Sequence, residues 1–154
     1  MAARTFTLEE LKSMKGQELG ISEWHLVTQQ EVNLFADATH DHQWIHVDPE
    51  RAKKESPFGG PIAHGYYTLS LAPHLMEQVL AVEGIRMGIN YGLNKLRFPG
   101  PVRIGKRVRM KAALADYEEI ANGAGAQVTV GMTFEVEGES KPSCVAEAIY
   151  RYYS

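Results

Sequence analysis

Cysteine is almost missing from this chain: Cys144 is the only one. An intrachain disulfide and a thiolate metal cluster are therefore both excluded, and a reducing, cytoplasmic setting is the simplest expectation. Long apolar runs are missing too. None approaches the roughly 20 residues that a spanning helix requires, so no membrane partner is expected. The N-terminus, Met1-Ala-Ala-Arg-Thr-Phe-Thr-Leu-Glu-Glu, lacks the apolar core of a signal peptide. Charge of one sign is scarce. Lys and Arg total 16 against 19 Asp and Glu, a formal net charge of −3, which does not suit a nucleic-acid partner. With no repeat, low-complexity tract or linker, residues 1–154 read as one domain.

What is present is a sequence able to build a core, with 44% hydrophobic residues. Thr7-Leu-Glu-Glu10 and Thr28-Gln-Gln-Glu31 both have the capping-box form, in which a Thr hydroxyl accepts from the third amide on and the Glu reaches back. They predict a short helix to about Met14 and a second over 29–38. Residues 21–27 alternate as a strand does, and 40–46 should be irregular. Asp48-Pro49 starts another short helix. Leu71, Leu75 and Val79 form one stripe of a helix over 64–80, which Pro73 should bend and Gly84 end. Strands are expected at 86–91 and 94–98, separated by Gly92, then at 108–117, 128–136 and 144–152. Val128, Val130, Met132, Phe134 and Val136 alternate strictly with Thr129, Gly131, Thr133 and Glu135, the mark of a half-buried strand. The sum is an α+β domain, an antiparallel meander wrapped on one long helix.

The chemistry-bearing residues cluster in Phe35-Ala-Asp-Ala-Thr-His-Asp41-His-Gln-Trp-Ile-His46. A carboxylate and an imidazole on one water can orient it and move its proton near neutral pH, which fits Asp41 with His46. The plainer reading of the same spacing, a turn-forming aspartate and a buried, satisfied histidine, stays open. His40, Asp41, His42, His46 and Asp48 also invite a metal, but the recognised ligand spacings are absent and no metal is expected. His40 and His42 read as a polar rim. Pro61-Ile-Ala-His64-Gly65 stands where a helix begins. Free amides there attract negative charge, and glycine lets a ligand approach the backbone; equally, Gly65 can serve only to turn the chain. Arg97, Arg103, Lys106, Arg107 and Arg109 form a basic region, read mainly as a charged strand edge that could also meet phosphates. Cys144 reads as a small core residue rather than a nucleophile.

These residues resemble a known signature. The stretch 35–52, Pro61-Ile-Ala-His-Gly65, Asn90-Tyr-Gly-Leu-Asn-Lys-Leu-Arg-Phe-Pro99 and Cys144-Val-Ala-Glu-Ala together are similar to the R-specific enoyl-CoA hydratases and MaoC-like dehydratases. The likeness is closest to the single-domain branch that includes mycobacterial short-chain dehydratases and nodulation protein N. The resemblance implies a hot-dog fold and a homodimer joined edge to edge. It implies a coenzyme A or carrier-protein thioester as substrate, and no cofactor. It places the catalytic pair on Asp41 and His46, and the amide that binds the thioester oxygen on Gly65. Beside it stand His64, Ile62 and Trp44 as substrate-side residues. The implied reaction is reversible hydration of a trans-2-enoyl thioester to the R-3-hydroxyacyl thioester. Alternatives within reach are a hot-dog thioester hydrolase and a non-catalytic acyl-thioester-binding protein. The family's usual Gly, Asn and Pro stand here as His40, Gln43 and Trp44, so Trp44 is expected to shape the acyl pocket.

Overall fold

The computed structural model describes residues 3–154. In chain order its elements are β1 (Arg4–Phe6), α1 (Leu8–Lys12), β2 (Glu18–Ile21), β3 (His25–Leu26), α2 (Gln29–Thr39), α3 (Trp44–Val47), α4 (Pro49–Glu55), α5 (Gly65–Ser70), α6 (Ala72–Met76), β4 (Leu80–Val82), β5 (Met87–Arg97), β6 (Arg107–Ile120), β7 (Gly125–Val136) and β8 (Cys144–Tyr153). The main antiparallel sheet runs β2-β6-β7-β8-β5, with β3 also paired to β6. The expected meander is β6-β7-β8.

Period-two patterning decides which face of the meander is buried. Val128, Val130, Met132 and Phe134 of β7 point inward with Met110, Ala112 and Leu114 of β6 and Cys144, Ala146 and Ala148 of β8. Ala72, Leu75 and Met76 of α6 close over that face, together with Val79. Fully burying a side chain the size of Phe134 is worth about 1.5–3 kcal/mol, and Phe134 has no exposed surface. Cys144 lies in this core, where burial alone raises its thiol to about 11. That environment suits a packing residue and not a nucleophile.

The structure departs from the sequence expectations in five places. The long helix is two short ones, α5 and α6, parted at Leu71, which caps both. Pro73, in the first turn of α6, cannot donate the bond that would join them. The tail of the expected helix is instead β4, paired in parallel with β1, a three-residue strand too short to show a pattern in the sequence. The expected strand over 21–27 is split, because the Ser22 hydroxyl takes the Met110 amide at 2.9 Å in place of a ladder partner. Gly92 does not interrupt the sheet: β5 is continuous, and register shifts at Asn90/Gly92 and Leu93/Lys95 absorb the irregularity. Finally, 40–46 is not wholly irregular, since α3 supplies one turn from Trp44. Among the described residues no helix is long and apolar enough to cross a membrane.

Candidate active site

Two helix ends and one loop bring the site together. Thr28 caps α2 by accepting the Glu31 amide at 3.2 Å. The reciprocal half of the box is not made, because the Glu31 carboxylate is taken by Tyr67 and His25. Helix α2 ends on His40, which has φ 65°, the left-handed conformation that reverses the chain after a helix. Asp41 follows at once. Its carboxylate accepts the Gln43 amide at 3.3 Å, which turns the chain into α3. His46 therefore lands on the inner side of that turn and is 7% exposed. The Gln29 side chain, reaching over from the start of α2, fixes the His46 carbonyl at 2.7 Å.

His46 is held in one tautomer. Its Nδ1 donates to the Ile62 carbonyl at 2.7 Å, which leaves Nε2 as the free ring nitrogen with a lone pair. Burial lowers the His46 imidazole below the ordinary histidine range. The Ile62 carbonyl and Asp41 oppose that shift, and His64 adds to it. The ring is thus neutral, and an acceptor at Nε2, at pH 7. His64 stacks on it with ring centroids 3.9 Å apart and planes 27° from parallel. His64 also donates from Nε2 to the Asp41 carbonyl at 3.0 Å, with its Nε2 3.9 Å from the Asp41 carboxylate.

One donor atom each from Asp41, His46 and His64 lie within 4.8 Å of one another. Two imidazoles and a carboxylate have the right chemistry for zinc or iron. The stacking works against it: near-parallel rings aim their in-plane lone pairs side by side and not at one point. The arrangement fits a water better than an ion.

A cavity of 340 Å³ opens beside His46. Ile62, Ala63 and Gly65 line one side and Phe98 with the loop Pro99, Gly100 and Pro101 another; Phe58, Thr68, Val102 and Ser143 also line it. Gly65 is the first residue of α5, so its amide has no partner within the helix. A larger cavity of 460 Å³ lies between α5/α6 and β5/β8, away from Asp41 and His46. His46 and Gly65 both line the smaller one.

Comparison with known proteins gives the family and agrees with the fold. A MaoC like domain matches residues 10–136. The 3-hydroxyacyl-thioester dehydratase Z of Mycobacterium tuberculosis (strain ATCC 25618 / H37Rv) is 55% identical over 150 residues, spanning 97% of this chain and 98% of that protein. Nodulation protein N of Rhizobium leguminosarum bv. viciae is 47% identical over 152 residues, covering 93% and 89%. The unliganded R-hydratase PhaJ1 of Pseudomonas aeruginosa shares the hot-dog fold with a TM-score of 0.74 at 22% identity, over 96% of this chain and 85% of that one.

The chain belongs to the MaoC-like dehydratase family.

Within this MaoC-like site, two of the three expected substrate-side residues, His64 and Trp44, lie off the cavity wall. Ile62 lines the cavity and also supplies the carbonyl that orients His46. His64 is 3% exposed and sits behind the pair rather than on the cavity wall. Trp44 is two residues before His46 on one helical turn, so it faces the opposite way. It lies under the Arg51 guanidinium, 4.3 Å from the ring centroid, and does not line the cavity. Phe98 takes the wall-forming role instead. A Cβ on Gly65 would stand 3.1 Å from three atoms of the Phe98 ring, so the missing side chain is what lets that ring close over the helix start. Phe98 comes 33 positions after Gly65 in a Pro/Gly loop, and no periodicity could have pointed to it. His42 pairs with Asp37 at 2.9 Å on the surface, as a polar rim residue should.

Proposed function

We propose that this chain, as one hot-dog unit, catalyses the reversible hydration of trans-2-enoyl thioesters to R-3-hydroxyacyl thioesters. The observation that carries this reading is the tautomer of His46. With Nδ1–H committed to Ile62, Nε2 can only accept, and the Asp41 carboxylate can only accept. A water placed between them gives one hydrogen to each and turns its oxygen lone pair outward, toward C3 of a bound enoyl thioester. In the forward step the C3–O bond forms and one O–H bond of water breaks, its proton passing to the Asp41/His46 pair. The alkene electrons move onto the thioester oxygen, and C2 then takes a proton from the Asp41/His46 pair, which returns to its starting state. The free Gly65 amide faces the developing enolate oxygen. A fixed donor of that kind is worth on the order of 3 kcal/mol in an oxyanion site. The name carried by the 55% identical mycobacterial relative supports the same class of substrate.

The active unit in this reading is a homodimer. β5 ends the sheet, and Met87, Ile89, Tyr91 and Leu93 along it are 40–56% exposed. A long apolar edge strand invites pairing with a second copy. Sedimentation should show a dimer, and Leu93→Lys should shift it toward monomer.

The deciding experiment follows the loss of the conjugated thioester's ultraviolet absorbance in crotonyl-CoA, together with chiral analysis of the product. Asp41→Asn and His46→Ala variants that fold but hydrate as fast as the parent would sink the assignment. Release of free thiol without hydration would point to thioester hydrolysis instead.

A further inference from the structure

The cations of the basic region are not equivalent. Arg107 pairs with Glu137 and Arg109 with Glu135, and Lys95 faces Glu147, all across neighbouring strands. These are sheet contacts. Arg103, Lys106 and Lys141 have no ion-pair partner among the described residues. The three line one cavity of 240 Å³ together with Pro99, Gly100, Pro101, Val136 and a single acid, Glu139. Pro99, Gly100 and Pro101 are also the wall of the cavity that holds His46 and Gly65. The two spaces therefore meet at one loop.

Arg103 is tied to both. Its backbone bridges Ile62, the residue that orients His46. Its Nε donates to the Phe58 carbonyl at 2.8 Å, which leaves the two terminal amino groups of the guanidinium for a ligand. Lys141 lies against the same loop. A Cβ on Gly100 would stand 3.3 Å from the Pro142 carbonyl oxygen and 3.8 Å from the Lys141 Cδ, so the loop packs directly on the Lys141-Pro142 segment.

We infer that Arg103, Lys106 and Lys141 form a phosphate-binding subsite that holds the nucleotide phosphates of a coenzyme A thioester while its acyl end occupies the His46 cavity. The inference rests on the hydration reading above. Three cations against one acid suit a ligand with several phosphates better than the single phosphodiester of a carrier-protein arm. Guanidinium and ammonium groups bind phosphate through charge-assisted hydrogen bonds. At the rim of a cleft they raise the local concentration of an anionic substrate, so the effect belongs in KM and weakens with salt.

The test compares crotonyl-CoA with crotonyl-pantetheine, which has the same reacting end and no phosphate, in the parent and in a Lys106→Glu/Lys141→Glu variant. For crotonyl-CoA the variant should raise KM about 10-fold or more and leave kcat within about 2-fold. For crotonyl-pantetheine neither constant should move. Adding salt to the parent should raise KM for the CoA thioester alone. Binding of 3′,5′-ADP by calorimetry supplies a readout that needs no turnover: the parent should bind it and the double variant should not. Equal effects on both thioesters, no effect on either, or unchanged 3′,5′-ADP binding would overturn the subsite. So would loss confined to a crotonyl carrier-protein substrate. If no thioester were hydrated by the parent while 3′,5′-ADP still bound at these residues, the hydration reading would fail and the phosphate subsite would stand.

Discussion

Two polar clusters flank the ring of Phe35, and each joins a carboxylate to histidine. On one side His25, Glu31 and Tyr67 meet. The Tyr67 hydroxyl donates to Glu31 at 2.7 Å, and His25 lies 2.9 Å from the same carboxylate oxygen. On the other side are Asp41, His46 and His64. Phe35 is 5.9 Å from the Tyr67 ring and 5.0 Å from the His64 ring, so both clusters lean on it. The first cluster is closed: each polar group satisfies another. The second is open. His46 lines a cavity and its Nε2 has no partner, His64 Nδ1 is buried without one, and the Asp41 carboxylate is half-exposed. A carboxylate with a histidine is therefore not a site by composition. It becomes one where the network stops short and leaves an acceptor facing space.

Exchanging the acids should separate the two clusters. Asp41→Asn keeps the loop-turning acceptor for Gln43 but removes the charge on the water. Its kcat should fall roughly 10²–10⁴-fold, the usual worth of a general acid–base group, while the thermal midpoint stays close to the parent. Glu31→Ala should do the opposite. It strands the buried Tyr67 hydroxyl, at a cost of about 1–3 kcal/mol. For a chain of this size that is a drop of roughly 2–10 °C in Tm, with kcat near the parent value. If Glu31→Ala abolished turnover while leaving Tm unchanged, the division into a closed and an open cluster would be wrong.

The contrast also explains what could be seen in the sequence. The spacing of Asp41 and His46 was visible because both lie on one loop after one helix. The strict alternation around Val130 was visible because burial on one face demands it. The closed cluster was hidden: Glu31 reads as the far end of a capping box, and only the arrival of Tyr67 from α5 shows that its carboxylate is diverted. His64 was visible as a polar point at a helix start, but its stacking on His46 depends on how α5 meets α3. The break at Leu71 follows from Pro73, yet the residues beyond it could join β1 only because the N-terminal strand lies alongside. Phe98 and the Pro99-Gly-Pro101 loop reach the site through tertiary packing alone.

Acidification separates the clusters a second way. His46 is held below its ordinary value chiefly by burial, so the unfolded chain takes up its proton first. That contribution to stability is fully present above about pH 6.5 and is lost as pH falls from there. For Glu31, burial pushes its carboxyl upward, but the bonds from Tyr67 and His25 outweigh it and the net shift is downward. Its contribution is present above about pH 4.3 and is lost on falling through the lowered value. Urea midpoints measured against pH should therefore decline in two steps. His46→Gln should flatten the upper step and Glu31→Gln the lower. The acid limb of kcat should lie below the ordinary histidine range, since turnover needs a neutral His46. In His64→Phe, which keeps an aromatic ring on His46 but removes a second imidazole, that limb should move up toward the ordinary value.

The smallest effect belongs to the third pair, His42 with Asp37. It sits one residue from Asp41 and has a 2.9 Å contact as short as that of His25 with Glu31. Its side chains are 52% and 71% exposed, however, and water competes for both. Exposed pairs of this kind contribute roughly 0–1 kcal/mol. His42→Ala should leave kcat within about 2-fold and Tm within about 2 °C of the parent, with any change vanishing in added salt. A large loss of turnover would mean that His42 reaches the bound water, and the open cluster would then have to include the face of the loop that the structure turns outward.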